Sequence, residues 1–214
     1  MGRRVIITCG PAIAPIDEVR RITNVSTGAI GTIMADKFLE RGFGVLCLRG
    51  EGSTAPPPCG CQVEHFSTNH SLLDLLRRES GSADAVLHAA ALCDYEVVPP
   101  PGRARKIRSD CGGIVIELVP APKLLPLLRS LFPSALIVGW KFELDGSQVD
   151  ALARGRAQLE GNSTDGCVVN GAAYGSGFGF LDTSGRQVTH WDDKHQLANG
   201  LAEWLIKKLS RDDC

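Results

Sequence analysis

Strand-like and helix-like patterns alternate along this chain from end to end, and that alternation restricts the fold more than any other feature. Arg4-Val-Ile-Ile-Thr-Cys9 is a short run continuous in β-branched residues, the pattern of a strand buried on both faces. Gly28 to Arg41 places Ile30, Ile33, Met34, Phe38 and Leu39 on one helical face, and Gly42 supplies a stop. Val45 to Leu48 reads as the next strand, the Pro-rich 51–60 stretch as a loop, Val63 to Phe66 as a short strand and Ser71 to Arg78 as a helix. Ala83 to Ala91 and Ile114 to Leu118 read as strands, with a Pro-, Gly- and cation-rich flap at about 97–113 between them. Pro122 is expected to open a helix reaching Leu131, followed by a strand at Ala135 to Val138, a helix at Ser147 to Glu160 and a strand at Gly166 to Val169. A Gly-rich loop spans Asn170 to Gly179, Gln187 to Trp191 suits a late strand in a hairpin across Thr183 to Gly185, and Asp192 is placed to cap a last helix reaching Leu209.

This order predicts an α/β fold: one doubly wound, mainly parallel, Rossmann-like sheet with helices on both faces, spanning residues 1–214 as a single domain. Ligands in such folds sit past the carboxyl ends of the strands. The formal net charge of −1, with acids and bases interspersed, gives no footprint for nucleic acid or anionic lipid. No run approaches the eighteen or so apolar residues of a membrane span, and the first apolar run is too short for a signal peptide, so a cytoplasmic location is expected. Of eight cysteines, Cys9, Cys47 and Cys167 lie in strand-like runs as small hydrophobes. Cys59-Gly-Cys61 with His65 and His70 lacks the paired spacing of a zinc site and reads as a reduced surface loop.

Three segments carry candidate chemistry. The stretch after the first strand is too long for a Gly-x-Gly-x-x-Gly dinucleotide turn. Its end, Asn24 to Gly28, precedes a helix, where Ser26, Thr27 and free backbone N–H groups form either an anion site or an ordinary N-cap. Small residues in Ala89-Ala-Ala-Leu-Cys-Asp-Tyr95 either let a base or sugar approach the backbone, with Asp94 accepting from a hydroxyl, or pack against a helix. Lys106 lies among Arg103, Arg105 and Arg108, cations that are solvated unless the flap closes on phosphate.

In order, Ile7-Thr-Cys-Gly10-Pro, Pro15-Ile-Asp-Glu-Val-Arg20, Ile22-Thr-Asn24-Val-Ser-Thr-Gly28, Ala90-Ala-Leu-Cys-Asp-Tyr95, Lys106-Ile-Arg108, Pro122 with Leu124-Leu125, Val138-Gly-Trp140 and Val169-Asn170 resemble the phosphopantothenoylcysteine synthetase family. The resemblance implies a stand-alone ligase domain of coenzyme A biosynthesis, without the flavin-dependent decarboxylase to which many bacterial members are fused. It would join 4′-phosphopantothenate to cysteine through an acyl-nucleotide, with CTP or ATP as co-substrate and Mg²⁺ on the triphosphate. It implies Asn24 and Lys106 as catalytic groups, and Arg20, Ser26, Thr27 and Gly28 at the acid substrate. It implies Gly10, Ala90, Asp94, Pro122, Lys123, Leu124, Leu125 and Trp140 around the nucleotide, and, from the family's habit, a homodimer.

The departures are specific. Ala29 stands where the family often has lysine, and Lys106-Ile-Arg-Ser109 replaces a Lys-Ile-Lys-Lys run. Two lysines usually offered to the triphosphate fall on Gln158 and Asn162, with Arg154 and Arg156 as substitutes by a shift of register. That loss motivates the alternative of a non-catalytic nucleotide-binding relative acting as a regulatory or binding subunit. A short-chain dehydrogenase is the rival enzyme class, disfavoured by the missing fingerprint and Tyr-x-x-x-Lys pair, since Tyr95 is followed four places on by Pro99 and Tyr174 by Phe178.

Overall fold

The computed structural model describes residues 2–98, 105–108, 112–183 and 188–210. Its centre is strand β1 (Arg4–Cys9), flanked in parallel by β4 (Gly44–Gly50) and β6 (Ala85–His88). Beyond β4 lies β5 (Gln62–Phe66), and beyond β6 lie β9 (Leu136–Phe142) and β10 (Gly166–Asn170), all parallel. Two antiparallel strands, β11 (Phe178–Asp182) and β12 (Thr189–Trp191), close that edge of the eight-stranded sheet. The chain winds outward from β1 on one side, then returns and winds outward on the other. The crevice between the carboxyl ends of β1 and β6 is therefore the topological switch point.

Strand alternation sorts the core into two faces. Val5, Ile7, Val45, Leu87, Val138 and Val168 meet α1 (Ala29–Glu40) and α5 (Lys194–Leu209). Ile6, Leu46, Leu48, Val86 and Ile137 meet α2 (Asn69–Arg78) and α3 (Leu125–Leu131). Helix α4 (Gln148–Gly161) covers Cys167 and Val169 of β10 and Leu181 of β11. In α1 the buried Gly31, Met34, Ala35 and Phe38 recur at helical spacing, which is why a segment rich in isoleucine coils rather than extends. Each fully buried large side chain of this kind contributes about 1.5–3 kcal/mol. Cys9, Cys47 and Cys167 are buried free thiols, as their apolar surroundings in the sequence predicted.

Several expectations are corrected. Residues 114–117 form no strand; the ladder there is β8 (Leu118–Pro120), an exposed three-residue strand paired antiparallel with β7 (Tyr95–Val97). Its Val and Ile content signals β-propensity, but no neighbour covers Val115, so propensity alone does not place it in the sheet. Helix α3 is opened by Pro126 in its first turn, not by Pro122. The Gly-rich segment yields to β11 from Phe178 onward, because Phe178 and Phe180 pack into the α5 side of the core. Asp193, not Asp192, caps α5, accepting from the His195 and Gln196 N–H groups. The β11–β12 hairpin forms as expected, while its tip at 184–187 lies outside the described residues. The long segment after β1 holds an unforeseen hairpin, β2 (Ile13–Pro15) with β3 (Arg21–Thr23).

Candidate functional site

The loops leaving β1 and β6 are laced together at the switch point. Ala91 N–H donates to Gly10 O at 2.9 Å and Ala12 N–H to Ala91 O at 3.0 Å. Beneath them, Ala90 N–H donates to Thr8 Oγ1 at 3.3 Å, and that hydroxyl is 2.8 Å from His88 Nδ1. The hydroxyl, which accepts from Ala90, thus also pairs with the imidazole and links β1 to β6. Burial pushes the His88 imidazole down to about 4, so the ring is neutral at physiological pH.

Asn69, at the start of α2, clamps the wall of the site. Its Nδ2 donates to Cys93 O at 2.8 Å and Pro122 O at 3.2 Å, and its Oδ1 accepts from Cys93 N–H at 3.2 Å. One buried amide thus joins the loop after β6 to the loop before α3. Between those loops and α4 is a hollow of about 200 Å³ whose lining includes His88, Ala90, Asp94, Lys123, Trp140 and Gln158. Pro122, Leu124 and Leu125 complete its floor, and Asp94 and Lys123 form an ion pair at its mouth.

On the other side of β1, Gly28 is the N-cap of α1 in a left-handed conformation (φ 77°), and no side chain caps the helix. The Ala29 N–H lies 3.3 Å from Thr27 Oγ1, and the N–H groups of Ile30 and Gly31 have no protein acceptor among the described residues. Of the two readings open for Asn24 to Gly28, an ordinary side-chain N-cap is therefore absent, and the helix presents the free N–H groups on which anions settle. Gly10 also has positive φ (79°), and a Cβ there would lie 1.9 Å from Ser53 Oγ. Asn24 bridges the two halves, its Nδ2 donating to Leu92 O at 2.7 Å.

A family model, the DNA/pantothenate metabolism flavoprotein C-terminal domain, matches residues 1–209. The chain belongs to this family. The synthetase resemblance in the sequence and this DFP family agree. A Thermococcus kodakarensis protein named coenzyme A biosynthesis bifunctional protein CoaBC is 33% identical over 171 residues, 79% of this DFP chain and 41% of that protein. A protein of the same name from Mycobacterium bovis is 31% identical over 83% of this chain and 44% of its own length. The chain thus spans less than half the length of these curated relatives. Among solved structures, the DNA/pantothenate metabolism flavoprotein from Streptococcus pneumoniae superposes with a TM-score of 0.81 at 21% identity, covering 98% of this chain and 99% of that one. A Cab2 mutant in complex with phosphopantothenate-cysteine gives 0.78 at 20% identity over 98% of this chain and 87% of that one. Both share the fold.

Other residues of the DFP motifs lie apart from the hollow. Arg20 Nη1 is committed to Asp17 Oδ2 at 2.9 Å and Ile107 O at 3.1 Å. Asp17, 5% exposed, also accepts from the N–H groups of Val19, Arg20 and Ile107. The Ile107 bond leads in holding its carboxyl down at about 2, against the cost of desolvation, with the Val19 and Arg20 bonds and the Arg20 charge helping. Arg105 Nε reaches Glu18 at 2.9 Å. The expected flap is therefore tethered at 105–108 to the 17–20 turn, and the Lys106 side chain there is exposed. Arg103 and the rest of 99–104 and 109–111 lie outside the described residues.

Arg154 pairs with Glu143, itself bonded to Lys141 at 3.1 Å. Arg156 instead lines a separate hollow with Ser163, Thr164 and Thr183, toward the amino end of β10. Gln158 Nε2 donates to Trp140 O at 3.2 Å, and Asn162 Nδ2 turns back to Gln158 O at 2.6 Å, so neither offers a cation. Sequence reasoning passed over Thr8, His88, Arg49, Ser53 and Asn69. The available signal was a polar group in or against an apolar strand, as in Val45-Leu-Cys-Leu48-Arg49.

Proposed function

We propose that this domain is a phosphopantothenate–cysteine ligase. The observation that carries the reading is the meeting, at the switch point, of an uncapped α1 N-terminus with the Ala90–Asp94 wall, bridged by Asn24. A free carboxylate is a poor electrophile. Its oxygen would attack the α-phosphorus of CTP or ATP, the bond to pyrophosphate would break, and the acyl-nucleotide would carry a good leaving group. The amine of cysteine would then attack the acyl carbon, expel the nucleoside monophosphate and lose a proton. No step needs a protein nucleophile; placement and charge compensation suffice.

In this reading Ser26, Thr27 and Gly28, with the N–H groups of α1, hold phosphoryl oxygens. The hollow between Ala90, Asp94 and Pro122–Leu125, with Trp140 at its edge, takes the nucleoside. Asn24 turns its amide to the acyl group, and Lys106 approaches from the 105–108 segment. Arg20 acts by holding that segment as well as by its charge. Magnesium would enter on the triphosphate, with Asp94 at the mouth of the hollow as the nearby carboxylate. No described helix is long and apolar enough to cross a membrane.

The test is pyrophosphate release with each nucleotide, with and without phosphopantothenate and cysteine. Release that requires a nucleotide and the acid, and amide formation that requires cysteine, support the ligase. Nucleotide binding without pyrophosphate release would instead select the non-catalytic relative, which the Gln158 and Asn162 replacements favour.

A further inference from the structure

The last residue but one of β4 is Arg49, and its burial is unusual: the residue is 3% exposed. Nη1 donates to Thr32 Oγ1 at 3.2 Å and Nη2 donates to Ala55 O, both uncharged acceptors. Among the described residues, no carboxylate pairs with it. The cation lies directly against the N-cap of α1, since a Cβ on Gly28 would sit 3.1 Å from Nη1. The same added Cβ would sit 2.9 Å from Ser53 Oγ, a buried hydroxyl with no hydrogen-bond partner. A guanidinium, the positive end of a twelve-residue helix and an unused hydroxyl thus converge on one spot. Like charges drawn together in a dry place are unfavourable unless an anion joins them.

We infer that Arg49, with Ser53, is the built-in cation of a phosphate site at the α1 N-terminus, supplying from within the charge that α4 does not provide through Gln158 and Asn162. The inference rests on reading that N-terminus as a phosphoryl site. Arg49 acts mainly as a positioning charge behind Gly28, whereas Ser53 and the N–H groups of Ile30 and Gly31 offer donors to the oxygens. The loop carrying Ser53 is fixed for the purpose: Ser53 N–H donates to Gly50 O at 3.0 Å and Ala55 N–H to Thr27 O at 3.0 Å. Among the described residues the Cys9 thiol is an internal competitor for the Arg49 charge. Its sulfur lies 3.7 Å from that of Cys47, and this contact together with the Arg49 charge lowers it from the ordinary thiol range.

The experiment uses inorganic pyrophosphate as the probe, with affinity read by calorimetry and thermal midpoints taken with and without it. Arg49→Met should bind pyrophosphate about tenfold or more weakly, yet melt no lower than the parent when no anion is present. Arg49→Lys should keep affinity within about threefold, because it keeps the charge. Ser53→Ala should weaken binding without lowering the midpoint. Parent-like affinity in Arg49→Met, with Cys9 then the internal counter-charge, would overturn the inference. So would Arg49→Lys binding as weakly as Arg49→Met, or an anion-free loss of stability in Arg49→Met with unchanged affinity. If the parent itself gains no stability from pyrophosphate, the phosphate reading of α1 fails and this inference with it.

Discussion

At the scale of single residues, His88 is the most exacting group in the site. Its ring is neutral and buried, with a folded value of about 4 against an ordinary 6.5. Between those values the unfolded chain takes up the proton more readily, so stability is fully present above pH 6.5 and is lost as pH falls toward 4. For a shift of this size the loss is about 3 kcal/mol. His88→Asn keeps a hydrogen-bonding partner for the Thr8 hydroxyl but cannot titrate. Urea unfolding at pH 7 and pH 4.5 should show a much smaller difference in the variant than in the parent. Asn24 gives a second prediction. Asn24→Asp would set a carboxylate against Leu92 O and against the acyl phosphate, so product formation should fall by about two orders of magnitude or more, and further than in Asn24→Ala. Near-parental activity in Asn24→Asp would remove the residue from the mechanism. The motif residues were legible in the sequence because polar groups cluster there between a strand and a helix. His88 was not, since it reads as a minor interruption of an apolar run until β1 and β6 bring it against Thr8.

At the scale of elements, bonds from the β2–β3 turn hold residues 105–108 in place. Asp17 collects its bonds as a carboxylate, with a folded value of about 2 against an ordinary 3.8. Its contribution is therefore present above about pH 4 and disappears as pH falls through 2. Asp17→Asn should release the segment at neutral pH, raising the exchange rate of the Ile107 amide by roughly tenfold or more, while the β1 and β6 amides stay protected. Uniform loss of protection would assign Asp17 to global stability instead. Within the same segment, Lys106→Gln should slow ligation by about two orders of magnitude. Arg105→Gln, which breaks only an exposed pair with Glu18, should cost much less and depend more on salt. Following acyl-nucleotide and final product separately in both variants distinguishes charge stabilisation of the intermediate from simple tethering. If Lys106→Gln turned over like the parent while Arg105→Gln were dead, the assignment of the catalytic lysine would be wrong.

At the scale of the whole molecule, the two small hairpins and the segments flanking them carry Val19, Val25, Tyr95, Val115, Leu118 and Val119 exposed to solvent. Apolar side chains grouped on two adjoining hairpins are costly to leave in water, and we propose that a second copy of the chain covers them. Sedimentation should give the mass of a homodimer, and Val119→Asp with Val115→Asp should shift it toward the monomer without altering helix content. A parent that sediments as a monomer at micromolar concentration would exclude this. The sequence by itself determined the α/β class, the places of β1, β4, β5, β6, β9 and β10 and of the helices between them, and the segments that meet at the switch point. These follow from local periodicity and turn chemistry, which act between residues near in the chain. Only the tertiary structure decided the rest. It withheld Ile114–Glu117 from any sheet despite their β-branched residues, drew Phe178–Asp182 into the edge, and set Arg49 against Gly28 with no carboxylate partner among the described residues. It also tied Arg20 to Asp17 and Ile107 rather than leaving it free. Burial and charge pairing between distant segments have no local sequence code, because they depend on which surfaces the closed fold brings face to face.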